Sequence, residues 1–453
     1  MLLTKRVVLC FATALLAVAC YGQSGTVPQA MPQTAPQPGA VGGPQPLTLK
    51  QAEEIALKNH PLIAAAQNEV LTADEHIIEN KAAYYPVLDG DLTGSQASQN
   101  ARIGAGSFAM PYLFNHFGAG VTFSQLITDS GRTPNLVANS KLMEQATQQD
   151  VLTNKYDVLL AVDRAYFEVL RAQALVKVAE ETVAARQLLL DQITALANNK
   201  LRSEVDVSFA DVDVSEAKLL LIRAQNQLDS QRAELDRSLG IDKNTVFALV
   251  DEPMPPTPPN TVDSLIDTAV KNRPELASLR LSGDAARKFE RAERDLSYPT
   301  VSLIGAAGFL PLFGHDGPIR MPSDYYEGAA VNVDIPIFNG HLFTARREAA
   351  RYQTIVADQK LRNEMERITR DVRVAWSGSV TSFQRIDVTT HLVAEASLSL
   401  ELAQGRYNLG LGTIVELTQA QLNLTQAEIE NLNAKYDYHS QFAVLQYTQG
   451  LLR

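Results

Sequence analysis

Apolar positions recur every three or four residues over unusually long stretches of this chain. Val158, Val162, Ala165, Val169, Ala172, Val176, Ala179, Val183, Arg186, Leu190, Ile193 and Ala197 alternate in steps of four and three, and only Arg186 is polar. Val207, Ala210, Val214, Ala217, Leu221, Ala224 and Leu228 continue the habit. It returns in Ile368, Val372, Ala375, Ser379, Ser382, Ile386, Thr389, Val393, Ala396, Leu400 and Ala403. A 3.5-residue period makes neighbouring helices wrap left-handedly, and alternating Val and Ala lets them approach closely. The spacing predicts a long helix from about Pro134 to Asn198 and another from about Ser203 to Leu239, stopped by Gly240. A third begins at Pro61, a good first-turn residue, and runs to about Tyr85. At 1.5 Å per residue the long helix spans about 100 Å and the shorter two roughly 55 and 37 Å. Stacked end to end, the short pair can line the long one over its full height. Taken alone, this periodicity fits an ordinary helical bundle equally well.

Four segments alternate with a period of two. In 87–96, Asp89, Asp91, Thr93 and Ser95 face away from Leu88 and Leu92; in 117–126, Ala119, Val121 and Phe123 oppose Gly118, Gly120, Thr122 and Ser124. In 301–309, Val301, Leu303 and Phe309 share a face, and in 328–335 Val331, Val333 and Ile335 oppose Asn332 and Asp334. About ten alternating residues are enough to cross a bilayer as a tilted barrel strand, although a half-buried soluble sheet shows the same pattern. Four strands cannot close a membrane barrel, and open edges are not tolerated in lipid. If these strands span a membrane, several chains must pool them.

The chain is written twice. Ala56-Leu57-Lys58-Asn59-His60-Pro61 matches Ala269-Val270-Lys271-Asn272-Arg273-Pro274 at an offset of 213. Gly118 with Gly328, Asn198 with Asn408, Leu201 with Leu411 and Gly240 with Gly450 match at an offset of 210. Five prolines between Pro253 and Pro259 mark the join. The expected organisation is a signal segment over 1–19, a Pro/Gln/Gly-rich tether over 20–46, a first repeat over 47–252, a linker over 253–260 and a second repeat over 261–453.

Composition narrows the function. The net charge of -11 moves near -13 once a leader holding Lys5 and Arg6 is removed, and an acidic chain without a basic stripe is a poor nucleic-acid binder. Lys5 and Arg6, the apolar run Val7–Ala19 and the small residues Ala17-Val18-Ala19 form a secretory leader. No other stretch approaches the length of a transmembrane helix. Both cysteines, Cys10 and Cys20, lie in this region, so the body has neither disulfide nor thiolate metal site. Cys20 after Ala17-Val18-Ala19 resembles a bacterial lipidation site, with Ala17 where that pattern usually has Leu.

Enzyme motifs are missing: there is no GxSxG, P-loop or HExxH, and the seven histidines are scattered. The sequence indicates neither an enzyme nor a cofactor. Asp211, Asp213 and Glu216 lie close together on one helix and read as a solvated face.

Several motifs together carry a family resemblance. Leu47-Thr48-Leu49 leads into Ala56–Pro61; Gln125-Leu126-Ile127-Thr128-Asp129-Ser130-Gly131-Arg132 and Ile335-Pro336-Ile337-Phe338-Asn339-Gly340 sit where strand meets helix. Arg406-Tyr407-Asn408-Leu409-Gly410-Leu411-Gly412-Thr413 forms a helix-hairpin turn. Over about residues 47–450 the chain resembles the TolC-like outer-membrane efflux family. The resemblance implies a mostly α, internally duplicated chain with a small β part. It implies a homotrimer whose α-helical coiled-coil barrel, reaching through the periplasm, continues a shared twelve-stranded outer-membrane β-barrel. It further implies a passive exit duct of an efflux or type I secretion system, docked to an inner-membrane pump through a periplasmic adaptor.

Family members close the periplasmic end like an iris. The resemblance places Asp206, Glu416 and Tyr407 at that gate, with Gly412 where the family pattern has Arg and Gln419 where it has a second Asp. Asp206 and Glu416 also suit helix N-termini without any gate. The turns holding Asn199, Lys200, Leu201 and Arg202, and Leu409, Gly410, Leu411 and Gly412, are the implied adaptor-docking tips, although ordinary turn chemistry accounts for their glycines. A secreted periplasmic coiled-coil scaffold shares the heptads and the leader, but leaves the paired amphipathic strands without a purpose.

Overall fold

The computed structural model describes residues 46–95, 116–242, 247–309 and 325–452. The leader and Cys20 lie outside these residues. Contacts divide the chain at Gln45/Pro46, and everything below concerns the second unit.

The first repeat opens with β1 (Pro46–Leu47), α1 (Leu49–Asn59) and α2 (Pro61–Ala82), followed by strands β2 (Val87–Ser95) and β3 (His116–Thr128). The hairpin of α3 (Arg132–Asn198) and α4 (Glu204–Leu239) completes it. After β4 (Ala248–Leu249), the second repeat runs α5 (Asp263–Asn272), α6 (Pro274–Asp295), β5 (Thr300–Phe309), β6 (Tyr325–Asp334), α7 (Leu342–Asn408) and α8 (Ile414–Thr448). The two long helices are 67 residues each, a direct reading of the duplication.

The start of each repeat is two helices where one was expected. Thr48 and Gln51 form a reciprocal capping box at α1. Pro61 then has no amide for α1 to use, so His60 turns extended and α2 restarts with Pro61 in its first turn. The helix ends explain the stacking of short on long. Gly240, with φ +69°, ends α4 against Asn59 and His60, where an added Cβ would come 2.9 Å from the Asn59 carbonyl oxygen. Gly450, with φ +68°, ends α8 against Asn272 in the same way. Thus α4 meets the beginning of α2 end to end while both pack along α3.

The sheet is one antiparallel layer in the order β2-β3-β5-β6. Its register sorts the faces, because directly paired residues point the same way. Asp91 pairs with Gly120, Gly120 with Gly308 and Gly308 with Tyr326, so Asp89, Asp91, Thr122, Ser124, Ser302, Asn332 and Asp334 share one polar face. Leu88, Leu92, Val121, Phe123, Leu303, Val331 and Val333 share the other. Tyr326 lies across Gly308, whose missing Cβ would meet its ring and the Ala119 carbonyl oxygen at 2.7 Å. Among the described residues the outer strands β2 and β6 have no neighbour on their far sides, and Leu92 and Val331 are 77% and 64% exposed. No helix of the described residues is long and apolar enough to cross a membrane.

The joints between sheet and helices are polar and fixed. Asp129 accepts from the Thr133 amide at 2.6 Å and its hydroxyl at 2.5 Å, while Ser130 donates to the Pro299 carbonyl at 2.7 Å. Glu293, only 2% exposed, is neutralised by Arg346 at 2.8 Å and Arg132 at 3.7 Å. At the other end of the α2 level, repeat-related aromatics anchor the linker. Tyr166 donates to the carbonyls of Leu47 and Val250, and Trp376, 210 residues on, donates to Pro259 at 2.8 Å.

Candidate functional site

The implied gate residues lie at the end of the molecule far from the sheet in chain terms, where α3 turns into α4 and α7 into α8. Both turns use left-handed backbone: Lys200 has φ +63° and Gly410 has φ +75°. Ser203 and Thr413 then cap the return helices, accepting from the amides of Val205 and Glu416. This capping sets Asp206 and Glu416 in corresponding first turns, where the helix dipole favours carboxylates.

The hairpins pack through Leu189, Ile193 and Ala210 from the first and Ala403, Tyr407, Ile414, Leu417 and Ala420 from the second. Tyr407 is only 3% exposed at this contact. Arg202 covers its ring, with the guanidinium carbon 4.1 Å from the centroid, and donates to the Tyr407 carbonyl at 2.5 Å. Burial raises the Tyr407 phenol above its ordinary value; Arg202 opposes the rise and Asp206 adds to it. The Tyr407 hydroxyl is enclosed without a hydrogen-bond partner among the described residues. That costs on the order of 1–3 kcal/mol, which the stacked guanidinium helps to offset.

Arg202, Asp206 and Tyr407 are therefore brought together, while Glu416 is not part of this cluster. It is exposed and paired with Arg406 at 3.2 Å on its own hairpin. Arg202 occupies the position of the first repeat that corresponds to Gly412 in the second. The sequence marked Arg202 only as a tip residue; no local pattern reveals that it reaches a tyrosine 205 positions away. Asn199, Lys200, Leu201, Leu409, Gly410 and Leu411 form the exposed tips, with Leu201, Leu409 and Leu411 69–76% exposed.

About two turns above, the expectation of a solvated acidic face fails for Asp213. It is buried with Arg186 at 3.3 Å and accepts from the Thr418 hydroxyl at 2.9 Å. Arg186, the lone polar residue of the first heptad seam, was the signal that a partner carboxylate must exist. The network ties α3, α4 and α8. Among the described residues no three His, Cys, Asp or Glu side chains are placed to hold a metal ion.

Fold and site together define a membrane-compatible sheet continued by two long helical hairpins whose tips are tied across the repeat. Comparison with known proteins supplies the class. Residues 54–241 and 265–450 each match the family described as outer membrane efflux protein. The outer membrane protein TolC of Salmonella enteritidis is 25% identical over 421 residues, covering 89% of this chain and 83% of the relative. The alkaline protease secretion protein AprF of Pseudomonas aeruginosa is 23% identical, covering 90% and 85%. Among solved structures, the outer membrane protein VceC of Vibrio cholerae superposes with a TM-score of 0.74 at 18% identity, covering 89% of this chain and 96% of that one.

The chain belongs to the outer membrane efflux protein family. Its duplicated fold and outer-membrane location follow from that membership.

Proposed function

We propose that three copies pool their sheets into a twelve-stranded outer-membrane barrel and their hairpins into a periplasmic duct, an exit channel for a pump and its adaptor. The observation that carries this is the sheet: one largely apolar face, one largely polar face and two edges unpaired among the described residues. Unpaired edges in lipid cost several kcal/mol per exposed group, and joining β2 of one copy to β6 of the next removes them. The polar face, with Asp89, Asp91 and Asp334, then lines water and the apolar face meets lipid. Native mass spectrometry of the detergent-extracted protein should give a trimer, and planar bilayers should show channels. A non-conducting monomer overturns the proposal.

At the tips, Asp206, Tyr407 and Arg202 hold neighbouring hairpins together in the closed duct, and Asp206 with Glu416 sets six carboxylates around the constriction. A ring of like charge favours cations. The exposed turns Asn199–Arg202 and Leu409–Gly412 are the surfaces for the adaptor. Photocrosslinkers at Leu201 and Leu411 should capture it; labelling at mid-helix Leu219 but not at the tips overturns that assignment.

A further inference from the structure

One turn of α3 carries both the tyrosine that holds the β1–β4 pair and a deeply buried carboxyl. Tyr166 donates to the carbonyls of Leu47 and Val250. Asp163, three residues earlier, is 3% exposed, and its Oδ1 is enclosed with no hydrogen-bond partner among the described residues. The side chain within reach of it is the carboxyl of Glu53 on α1. Two carboxylates have only acceptors to offer each other, so a hydrogen bond between them requires a proton on one.

The surroundings add negative charge. On Glu53 act Glu54 and Lys50 of its own helix and Glu252 of the linker, and of these only Lys50 favours the carboxylate. From α8 come Tyr436, hydrogen-bonded to Asp251, and His439, which burial keeps below its ordinary value. Helix α4 packs Leu235 and Leu239 into the same core, and its Arg237 acts on His60 just past the end of α1. The second repeat builds the corresponding junction without carboxyls. Glu53 becomes Ile266, and Asp163 becomes the exposed Arg373. Val162 and Val372, and Ala56 and Ala269, are nevertheless all fully buried. Packing at this level therefore does not require the acid pair.

We propose that Asp163 and Glu53 share one proton and act as a latch that holds α1 against α3 and loosens as the pH rises. Helix α1 carries more than itself: β1 precedes it, and Gly240 seats the end of α4 on Asn59 and His60. Opening the latch frees the first hairpin at its root and leaves the second in place. Separating the carboxyls returns both to water, where they ionise and release the proton. Opening therefore becomes easier as pH rises from the ordinary carboxyl range towards about 8, the value to which burial and then Glu53 push Asp163, and changes no further above it. One released proton sets a ceiling of about tenfold per pH unit.

Hydrogen exchange of the full-length protein in detergent between pH 5 and 9 tests this. Helix α5 is the internal control, because it holds the corresponding place without carboxyls. Corrected for the intrinsic chemical rate, exchange of the α1 amides should rise about three- to tenfold per pH unit between pH 5 and 7 and level off above 8, while α5 stays flat. Asp163→Asn, whose amide donates to Glu53 at every pH, should flatten the α1 profile. Glu53→Gln, at the half-buried partner, should flatten most of it and supplies the reading if the buried variant fails to fold. Equal pH dependence in α1 and α5, or an α1 slope unchanged in the variants that fold, overturns the latch.

Discussion

Removing Arg202 is the sharpest perturbation of the proposed closed state. The side chain makes two contacts with Tyr407: a stack at 4.1 Å and a charge-assisted hydrogen bond to its carbonyl. A half-buried cation–π contact contributes about 0.5–2 kcal/mol and a hydrogen bond from a charged donor about 1.5–3 kcal/mol. Allowing for new hydration in the variant, Arg202→Ala should weaken the tie by about 2–3 kcal/mol per chain, a shift of roughly 30- to 150-fold in the local open-to-closed ratio. Single-channel recordings in planar bilayers read this as a longer dwell in the high-conductance state. Arg202→Lys, which keeps the charge and loses the planar stack, should fall between. Adding Gly412→Arg to Arg202→Ala should restore closure from the other turn. A Cβ at 412 comes within 3.2 Å of Arg406 and Glu416, so these side chains must shift by a few tenths of an ångström. If Arg202→Ala keeps the wild-type closed dwell, the tie does not hold the tips together.

Three further outcomes are expected. Asp213→Ala leaves Arg186 buried without its carboxylate and should cost about 3–5 kcal/mol, whereas Arg186→Ala/Asp213→Ala should be far milder; hydrogen exchange of the α3, α4 and α8 amides measures the difference. Asp163, 3% exposed, is pushed up to about 8, first by burial and then by the charge of Glu53 and its hydrogen bond to it. The folded state therefore holds more protons than the unfolded one between about pH 4 and 8, so stability falls as pH rises through that window. Thermal melting at pH 5 and 8 should show this loss, and Asp163→Asn should remove most of it. Asp206→Ala with Glu416→Ala should lower cation selectivity in reversal-potential measurements; unchanged selectivity removes the carboxylate ring from the mechanism.

Much of the architecture was legible because it depends on local period. The heptad seams, the two-residue alternation of the strands and the doubled Asn-X-Pro motif each follow from short-range geometry. The separate helix α1 was not read, although Thr48 and Gln51 stand three apart at its start and Pro61 marks its end. What stayed hidden joins distant residues. Asp213 looked solvated because spacing along one helix does not say which face a neighbour covers. Arg202 looked like turn chemistry because its tyrosine lies on the other hairpin. His439 looked like one of the scattered histidines, yet it is buried and stacked 4.6 Å from the Phe167 ring. For Arg202 and His439 the partner comes from the other repeat, and for Asp213 it is Arg186 on the neighbouring helix together with Thr418 of the other repeat, where no short sequence window reaches.

The contacts of Gly240 with Asn59 and of Gly450 with Asn272 constrain how such a molecule can grow. Each return helix is butted against the start of its own repeat, so the distance from turn to butt joint is dictated by the long helix alongside. A heptad inserted into α3 alone would leave its sibling tip some 10 Å short and break the level at which Arg202 finds Tyr407. Lengthening is tolerated only when all four arms gain the same number of turns, so the reach across the periplasm changes in synchronised steps.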